Sequence, residues 1–181
     1  MKITPPFNLA KWIDSHREEL KPPVGNRNLY REAEDYIVMI VAGPNARKDY
    51  HYNETEELFY QLEGHIEIHI QEDGKKKTLK LGPGDMYLHP AKVPHSPERH
   101  PDSIGLVVER RRDHLELKNG LLWYCDSCNH KLHEVYFTLS NIEKDFLPHF
   151  EDFYNSEELR TCDRCGKVMA ADKRFTKSSD S

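Results

Sequence analysis

No stretch of this 181-residue chain approaches the roughly 20 consecutive apolar residues that a membrane-spanning helix needs. The opening Met1-Lys2-Ile3-Thr4-Pro5-Pro6 lacks the apolar segment and small-residue cleavage site of a secretory leader, so a cytoplasmic address is expected. Positive charge is also in short supply, with 26 Lys and Arg against 31 Asp and Glu and a formal net charge of −5. Neutralising phosphates takes an excess of basic residues on one face, so nucleic acid is a poor partner and small-molecule chemistry fits better. Cysteine is absent outside two pairs, Cys125-x2-Cys128 and Cys162-x2-Cys165. Without a secretion signal, that spacing reads as metal ligation before it reads as disulfides. With 37% hydrophobic and 31% charged residues, the chain is of globular composition and long enough for one core plus an appendage.

Behind a capping Asn8, the positions Leu9, Trp12, Ile13, His16 and Leu20 follow a helical period that Lys21-Pro22-Pro23-Val24-Gly25 ends. Short β-rich runs follow: Tyr36 to Ala42, Leu58 to Leu62, His65 to Ile70, Thr78 to Leu81, Met86 to Leu88 and Ile104 to Glu109. Turn signals such as Gly43-Pro44-Asn45, Asp73-Gly74 and Gly82-Pro83-Gly84-Asp85 separate them, a pitch that predicts a sandwich or small barrel. After Arg112 a strand is expected at Leu121 to Tyr124, with Val135 to Leu139 as its partner. Ser140 and Glu143 form a capping box for a helix burying Ile142, Phe146, Phe150 and Phe153, interrupted or kinked at Pro148. The expected organisation is a mainly β barrel with an N-terminal helix over residues 1–112, a small α/β four-cysteine metal-binding appendage over 113–175, and a disordered tail over 176–181.

Geometry must choose among 11 histidines. His65-x-Glu67-x-His69 shares one strand face, but at about 3.3 Å rise per residue the two imidazoles stand roughly 13 Å apart, too far for one ion. That stretch reads as a strand burying Ile66, Ile68 and Ile70. His51, placed at the end of a β run, and Glu57, opening the next, can meet at one point in a barrel. His95 follows the rigid Pro90-Ala91-Lys92-Val93-Pro94 turn. Two imidazoles and a carboxylate form the facial triad of non-haem iron oxygenases, which leaves positions open for substrate and oxygen. Taken singly, each is better read as a surface or satisfied core residue, and the surrounding frame is what lifts the set.

That frame is Gly43-x7-His51-x5-Glu57-x6-Gly64 and Gly84-x5-Pro90-x4-His95, which resembles the two motifs of the cupin superfamily, whose jelly-roll β-barrel holds a metal inside. Asn53 stands where many cupins have another histidine, leaving three protein ligands. The strings Lys21-Pro22-Pro23-Val24-Gly25-Asn26, Gly43-Pro44-Asn45-x-Arg47-x-Asp49-Tyr50-His51, Phe59-Tyr60-Gln61, Val93-Pro94-His95-Ser96-Pro97-x-Arg99, Val107-Val108-Glu109-Arg110 and Trp123-Tyr124-Cys125-x2-Cys128 resemble the 3-hydroxyanthranilate 3,4-dioxygenases, in their microbial four-cysteine form. The likeness runs over nearly the whole chain.

The resemblance implies an Fe(II)-dependent dioxygenase that converts 3-hydroxyanthranilate and O2 to 2-amino-3-carboxymuconate semialdehyde, which closes to quinolinate on a kynurenine route to NAD. It implies iron on His51, Glu57 and His95, substrate carboxylate at Arg99, dioxygen near Arg47, and Glu109 bonded near the amine, with Asn26, Phe59 and Pro97 as weaker pocket-lining candidates. Without it, Arg47 and Arg99 would read as rim charges and Glu109 as a partner of the arginines at 110 to 112. Cys125, Cys128, Cys162 and Cys165 would close a tetrahedral site around a second metal, iron or zinc, with no open position and a structural role. A homodimer is expected, as is common for such barrels. Two rivals remain: another cupin oxygenase or isomerase acting on a small acid, and a non-catalytic zinc ribbon docking to nucleic acid. Seven basic against ten acidic residues between Leu121 and Phe175 count against the second rival.

Overall fold

The computed structural model describes residues 3–21, 25–45, 47–112, 117–138 and 145–176. Asn8 Oδ1 accepts the Lys11 N–H at 3.0 Å and opens α1, Leu9–His16, which tightens into a 3-10 turn at Arg17–Leu20. Such a cap contributes about 1 kcal/mol. The helix buries Ile13, and the turn buries Leu20, against Ile40, Ala42 and Ile104 on the outside of a sheet. The turn expected at 22–24, the capping box at Ser140 and Glu143 and the tail from 177 lie outside the described residues.

Eleven strands follow among the described residues: β1 Asn26–Asn28, β2 Tyr36–Ala42, β3 Tyr50–Asn53, β4 Glu57–Glu63, β5 Ile66–Glu72, β6 Lys75–Leu81, β7 Met86–His89, β8 His95–Arg99, β9 Ile104–Arg110, β10 Asn119–Tyr124 and β11 Lys131–Phe137. They make two antiparallel sheets, ordered β1-β2-β9-β4-β7 and β11-β10-β3-β8-β5-β6. The inner quartets β2-β9-β4-β7 and β3-β8-β5-β6 have the order of a jelly roll, the barrel the sequence predicts. Period-two alternation directs Phe59, Ile66, Ile68, Ile70, Leu81 and Val107 into one core between the sheets. Burying each such side chain is worth about 1.5–3 kcal/mol.

Three local expectations need correction. His51 sits inside β3 rather than at a strand end. The partner of β10 is Lys131–Phe137, earlier than the expected Val135 to Leu139, because the knuckle at Cys125 turns the chain back within a few residues. Pro148 lies in the first turn of α2, Leu147–Asn155, where its missing N–H has no helical partner to lose, so it starts the helix instead of kinking it.

The sheet also runs across the seam expected between 112 and 113. β10 pairs with β3 from Asn119↔Asn53 to Leu122↔Tyr50, so the second sheet leads directly into the C-terminal part. There Leu121 and Trp123 pack with Phe146, Phe150, Phe153 and Tyr154 of α2 and with Met169, a separate core beside the barrel. α3, Glu157–Arg160, follows with Ser156 as its cap. Among the described residues no helix is long and apolar enough to cross a membrane.

Candidate active site and second metal site

Two cross-strand pairs build the barrel site from opposite walls. His51 and His95 are partners across β3 and β8, and Glu57 and Glu109 across β4 and β9. The ligand atoms of His51, Glu57 and His95 all lie within 4.8 Å of one another, with His95 Nε2 at 3.1 Å from Glu57 Oε2. All three residues are at most 9% exposed. Asn53, at the position where cupins often hold a further histidine, donates its Nδ2 to Glu57 Oε2 at 3.3 Å.

Burial pushes the His51 imidazole down to about 3, and the neighbouring His95 adds to that. Burial alone would raise the Glu57 carboxyl, but His95 beside it outweighs this and holds it near 2. At neutral pH the set therefore offers an unprotonated imidazole and a carboxylate, the forms that bind metal. His95 Nδ1 is buried without a hydrogen-bond partner among the described residues, an atom a purely structural histidine would have satisfied. Two imidazoles and one carboxylate converging on one point fit a divalent transition metal with open cis positions.

Of the expected substrate residues, Arg99, Glu109 and Phe59 lie near this point. Arg99, one strand turn beyond His95 on β8, is 3% exposed, and among the described residues no carboxylate pairs with it. Burial pulls its guanidinium down to about 10, with Glu57 opposing the shift only in part. Its Nη1 is a buried donor without an acceptor. Glu109 is 3% exposed, and burial with Glu57 nearby raises its carboxyl to about 7 despite Arg112, which donates to its Oε2 at 2.8 Å. Glu109 thus pairs with a neighbouring arginine, Arg112, and stands across the strands from Glu57. Phe59 stands edge-on to His95 at 5.9 Å. Pro97 lies on β8 between His95 and Arg99, and Asn26 is in β1 at the far edge of the other sheet.

Arg47 is held by Asp49, which is 3% exposed: Nε donates to Oδ1 at 3.1 Å and Nη2 to Oδ2. The guanidinium lies 6.0 Å and 5.7 Å from the ring centres of Phe146 and Phe150, and Phe146 in turn stands edge-on to His51 at 5.6 Å. The C-terminal part therefore reaches the rim of the barrel site.

Sequence reasoning gave no role at the site to four polar residues here. Asn119 Oδ1 approaches His51 Nε2 at 3.2 Å and accepts from Arg112 Nη2 at 3.1 Å, linking both to Glu109. His89, cross-strand partner of Glu57, lies 4.2 Å from the His95 ring and bonds the Val93 carbonyl at 2.8 Å. Asp49 is the fourth. Only His89 had a signal, a polar residue closing an alternating strand; Lys118-Asn119-Gly120 reads as a turn. His65, Glu67 and His69 do not form a site together: Ile66, Ile68 and Ile70 are core, and His69 bonds Thr78 and Glu98 at 2.9 and 3.0 Å.

The four cysteines are free thiols whose sulfurs lie within 4.8 Å of one another, the closest pairs at 3.6 Å, far beyond a bonded sulfur pair. Two knuckles with the same backbone pattern deliver them. Cys125 N–H donates to His130 O at 2.8 Å and Asn129 N–H to Cys125 O at 2.9 Å; Cys162 N–H donates to Lys167 O at 2.8 Å and Gly166 N–H to Cys162 O at 2.8 Å. Both knuckles close on a left-handed residue, Asn129 at φ 58° and Gly166 at φ 70°, where glycine or asparagine is tolerated best. Burial raises the Cys125 thiol, but the Cys128 and Ser127 N–H groups bring it down to about 7, toward the thiolate a metal needs. Four sulfurs from two knuckles fit a closed tetrahedral ion.

The profile of the family described as 3-hydroxyanthranilic acid dioxygenase matches residues 1–154. A 3-hydroxyanthranilate 3,4-dioxygenase from Xanthomonas campestris pv. campestris strain 8004 is 51% identical over 173 residues, 96% of this chain and 97% of its own. The protein of the same name from Bacillus cereus strain ATCC 10987 is 43% identical over 164 residues, 90% of each chain. Among solved structures, a cupin-2 domain protein from Shewanella frigidimarina aligns with a TM-score of 0.46 at 21% identity, over 55% of this chain and 92% of its own.

Proposed function

The chain belongs to the 3-hydroxyanthranilic acid dioxygenase family, and we propose that it cleaves the ring of 3-hydroxyanthranilate with O2 to give 2-amino-3-carboxymuconate semialdehyde, which cyclises to quinolinate. Ferrous iron held by His51, Glu57 and His95 would supply the redox chemistry that joins ring and dioxygen. The observation that carries the assignment of roles is the buried, anion-less Arg99 beside the ligand cluster. A cation in such a place has lost its water and gained no protein carboxylate, so it is poised for a ligand carboxylate. That anchors one end of the substrate and leaves the hydroxyl and amine toward His51, Glu57 and His95.

Glu109 takes the amine and hydroxyl side. With its carboxyl near 7 it can accept a hydrogen bond, or a proton at Oε1, from the aminophenol, while Arg112 fixes Oε2. Arg47, restrained by Asp49 and two aromatic rings, directs charge at the rim where dioxygen enters. Phe59 and Pro97 line the apolar wall, and Asn26 belongs to the mouth. The second metal, iron or zinc, sits in the closed sulfur site and has a structural role, and the free thiols suit a cytoplasmic setting. Outward-facing Leu88, Leu58, Val108 and Val38 lie in register across four strands, with Leu88 54% and Met86 68% exposed, a stripe suited to a second copy of the chain. Mixing the iron-loaded protein with 3-hydroxyanthranilate in air tests the proposal: the expected product is the substrate plus two oxygen atoms, then quinolinate, and unconsumed substrate would overturn it.

A further inference from the structure

Arg99 owes its place to a residue that has no side chain. Gly105 is the cross-strand partner of Gln61 on β9, and a Cβ built on it would stand 2.9 Å from Arg99 Nη1, 2.9 Å from Gln61 Oε1 and 3.4 Å from the Tyr60 carbonyl. Its backbone is not left-handed, so any L-residue could adopt it; only the space demands glycine. The guanidinium lies over bare backbone in the volume that a side chain at 105 would fill.

The two atoms that meet above Gly105 share a second property. Arg99 Nη1 is a buried donor and Gln61 Oε1 a buried acceptor, neither with a hydrogen-bond partner among the described residues. They lie no more than twice 2.9 Å apart. Gln61 is fully buried, and its Nε2 donates to Glu63 O at 2.6 Å, which fixes the amide with Oε1 turned toward Gly105. A neutral acceptor beside the guanidinium lends it dipole stabilisation without cancelling its charge, so the full cation stays available to an anion from outside.

We propose that Gly105 is a specificity-determining residue and Gln61 a positioning residue for the carboxylate end of the substrate. Gly105 leaves the room in which Arg99 can face a carboxylate, and Gln61 holds Arg99 there uncancelled. This deepens the reading of the site given above and rests on it.

The test is anaerobic equilibrium binding of two probes to the iron-loaded protein, 3-hydroxyanthranilate and 2-aminophenol, which lacks the carboxylate. Gly105→Ala pushes on the far ends of two flexible side chains, so the fold should survive, and iron content and melting temperature check that it does. Gln61→Glu, nearly isosteric, gives Arg99 an internal anion instead. Each variant should weaken 3-hydroxyanthranilate about tenfold or more, the scale of a buried charge-assisted bond, while 2-aminophenol stays within about threefold. Equal weakening of both probes, or no change in either, overturns the proposal while leaving the parent reading in place. A wild-type protein that shows no preference for the carboxylated probe overturns the role of Arg99 itself, and the proposal with it.

Discussion

The barrel site and the four-cysteine site are both sets of ligand atoms within 4.8 Å of one another, yet they are assembled in opposite ways. The sulfurs come from two short knuckles, each closed by its own backbone hydrogen bonds, so each half is determined within six residues of chain. The barrel ligands come from three strands in two sheets, and their meeting depends on the registers His51↔His95 and Glu57↔Glu109. The sulfur set uses every tetrahedral position on its ligands, whereas the barrel set leaves open positions and is ringed by Arg99, Glu109 and Arg47. On the proposed roles, local assembly would give a staple and long-range assembly a reactive centre. Phe146, packed with the C-terminal core and touching His51, is where the two regions meet.

The contrast is sharpest when one set is removed and the other kept. His51→Ala, Glu57→Ala and His95→Ala should each abolish turnover, beyond the roughly 10–100-fold that losing an outer partner of a metal ligand costs, while metal analysis still finds the sulfur-bound ion. Arg99→Ala should weaken 3-hydroxyanthranilate by about 2–3 kcal/mol, read as a roughly 30–100-fold rise in its dissociation constant. Cys125→Ser with Cys128→Ser should cost one metal per chain and lower the melting temperature, while the folded fraction that keeps barrel iron turns over within about tenfold of wild type.

A pH profile separates the regions more finely. The Glu109 carboxyl, raised to about 7 by burial, is ionised only above that value, so the rate should climb as pH rises through about 7 and Glu109→Gln should flatten that limb. Because its folded value lies above the unfolded one, Glu109 supports stability below the ordinary carboxylate range and loses that support as pH rises through about 7. Glu109→Gln should therefore gain stability relative to wild type between pH 5 and about 8, measured by denaturant midpoints. The smallest effect belongs to His65→Ala and His69→Ala on the outer face, which should leave turnover within about twofold.

What the sequence showed follows the same division. The cysteine knuckles were legible because their determinants are local, two Cys-x2-Cys pairs. The apolar strands, such as Tyr36–Ala42, were legible for the same reason. β8 was not recognised as a strand, because Pro97 at its centre argues against one; it meets β3 at the single pair His51↔His95. Asn119 was silent, since its role comes from a partner that tertiary packing brings to it, His51, 68 positions away; Arg112 entered only as one of three possible partners of Glu109. The triad and its charged ring came from the likeness to a family, and the register shows why those positions meet.

The most direct measurement follows oxygen atoms in three proteins loaded anaerobically with ferrous iron: wild type, the Cys125→Ser, Cys128→Ser double variant, and His95→Ala. Each is given 3-hydroxyanthranilate and 18O2, and the product is weighed. Wild type and the folded, iron-bearing cysteine variant should both form quinolinate carrying one heavy oxygen atom in the carboxylate made at ring opening, the second leaving as water when the amine closes on the aldehyde, and His95→Ala should form none. Turnover by His95→Ala, or a cysteine variant that keeps its barrel iron and binds substrate yet cleaves nothing, would contradict the division between a reactive barrel site and a structural sulfur site.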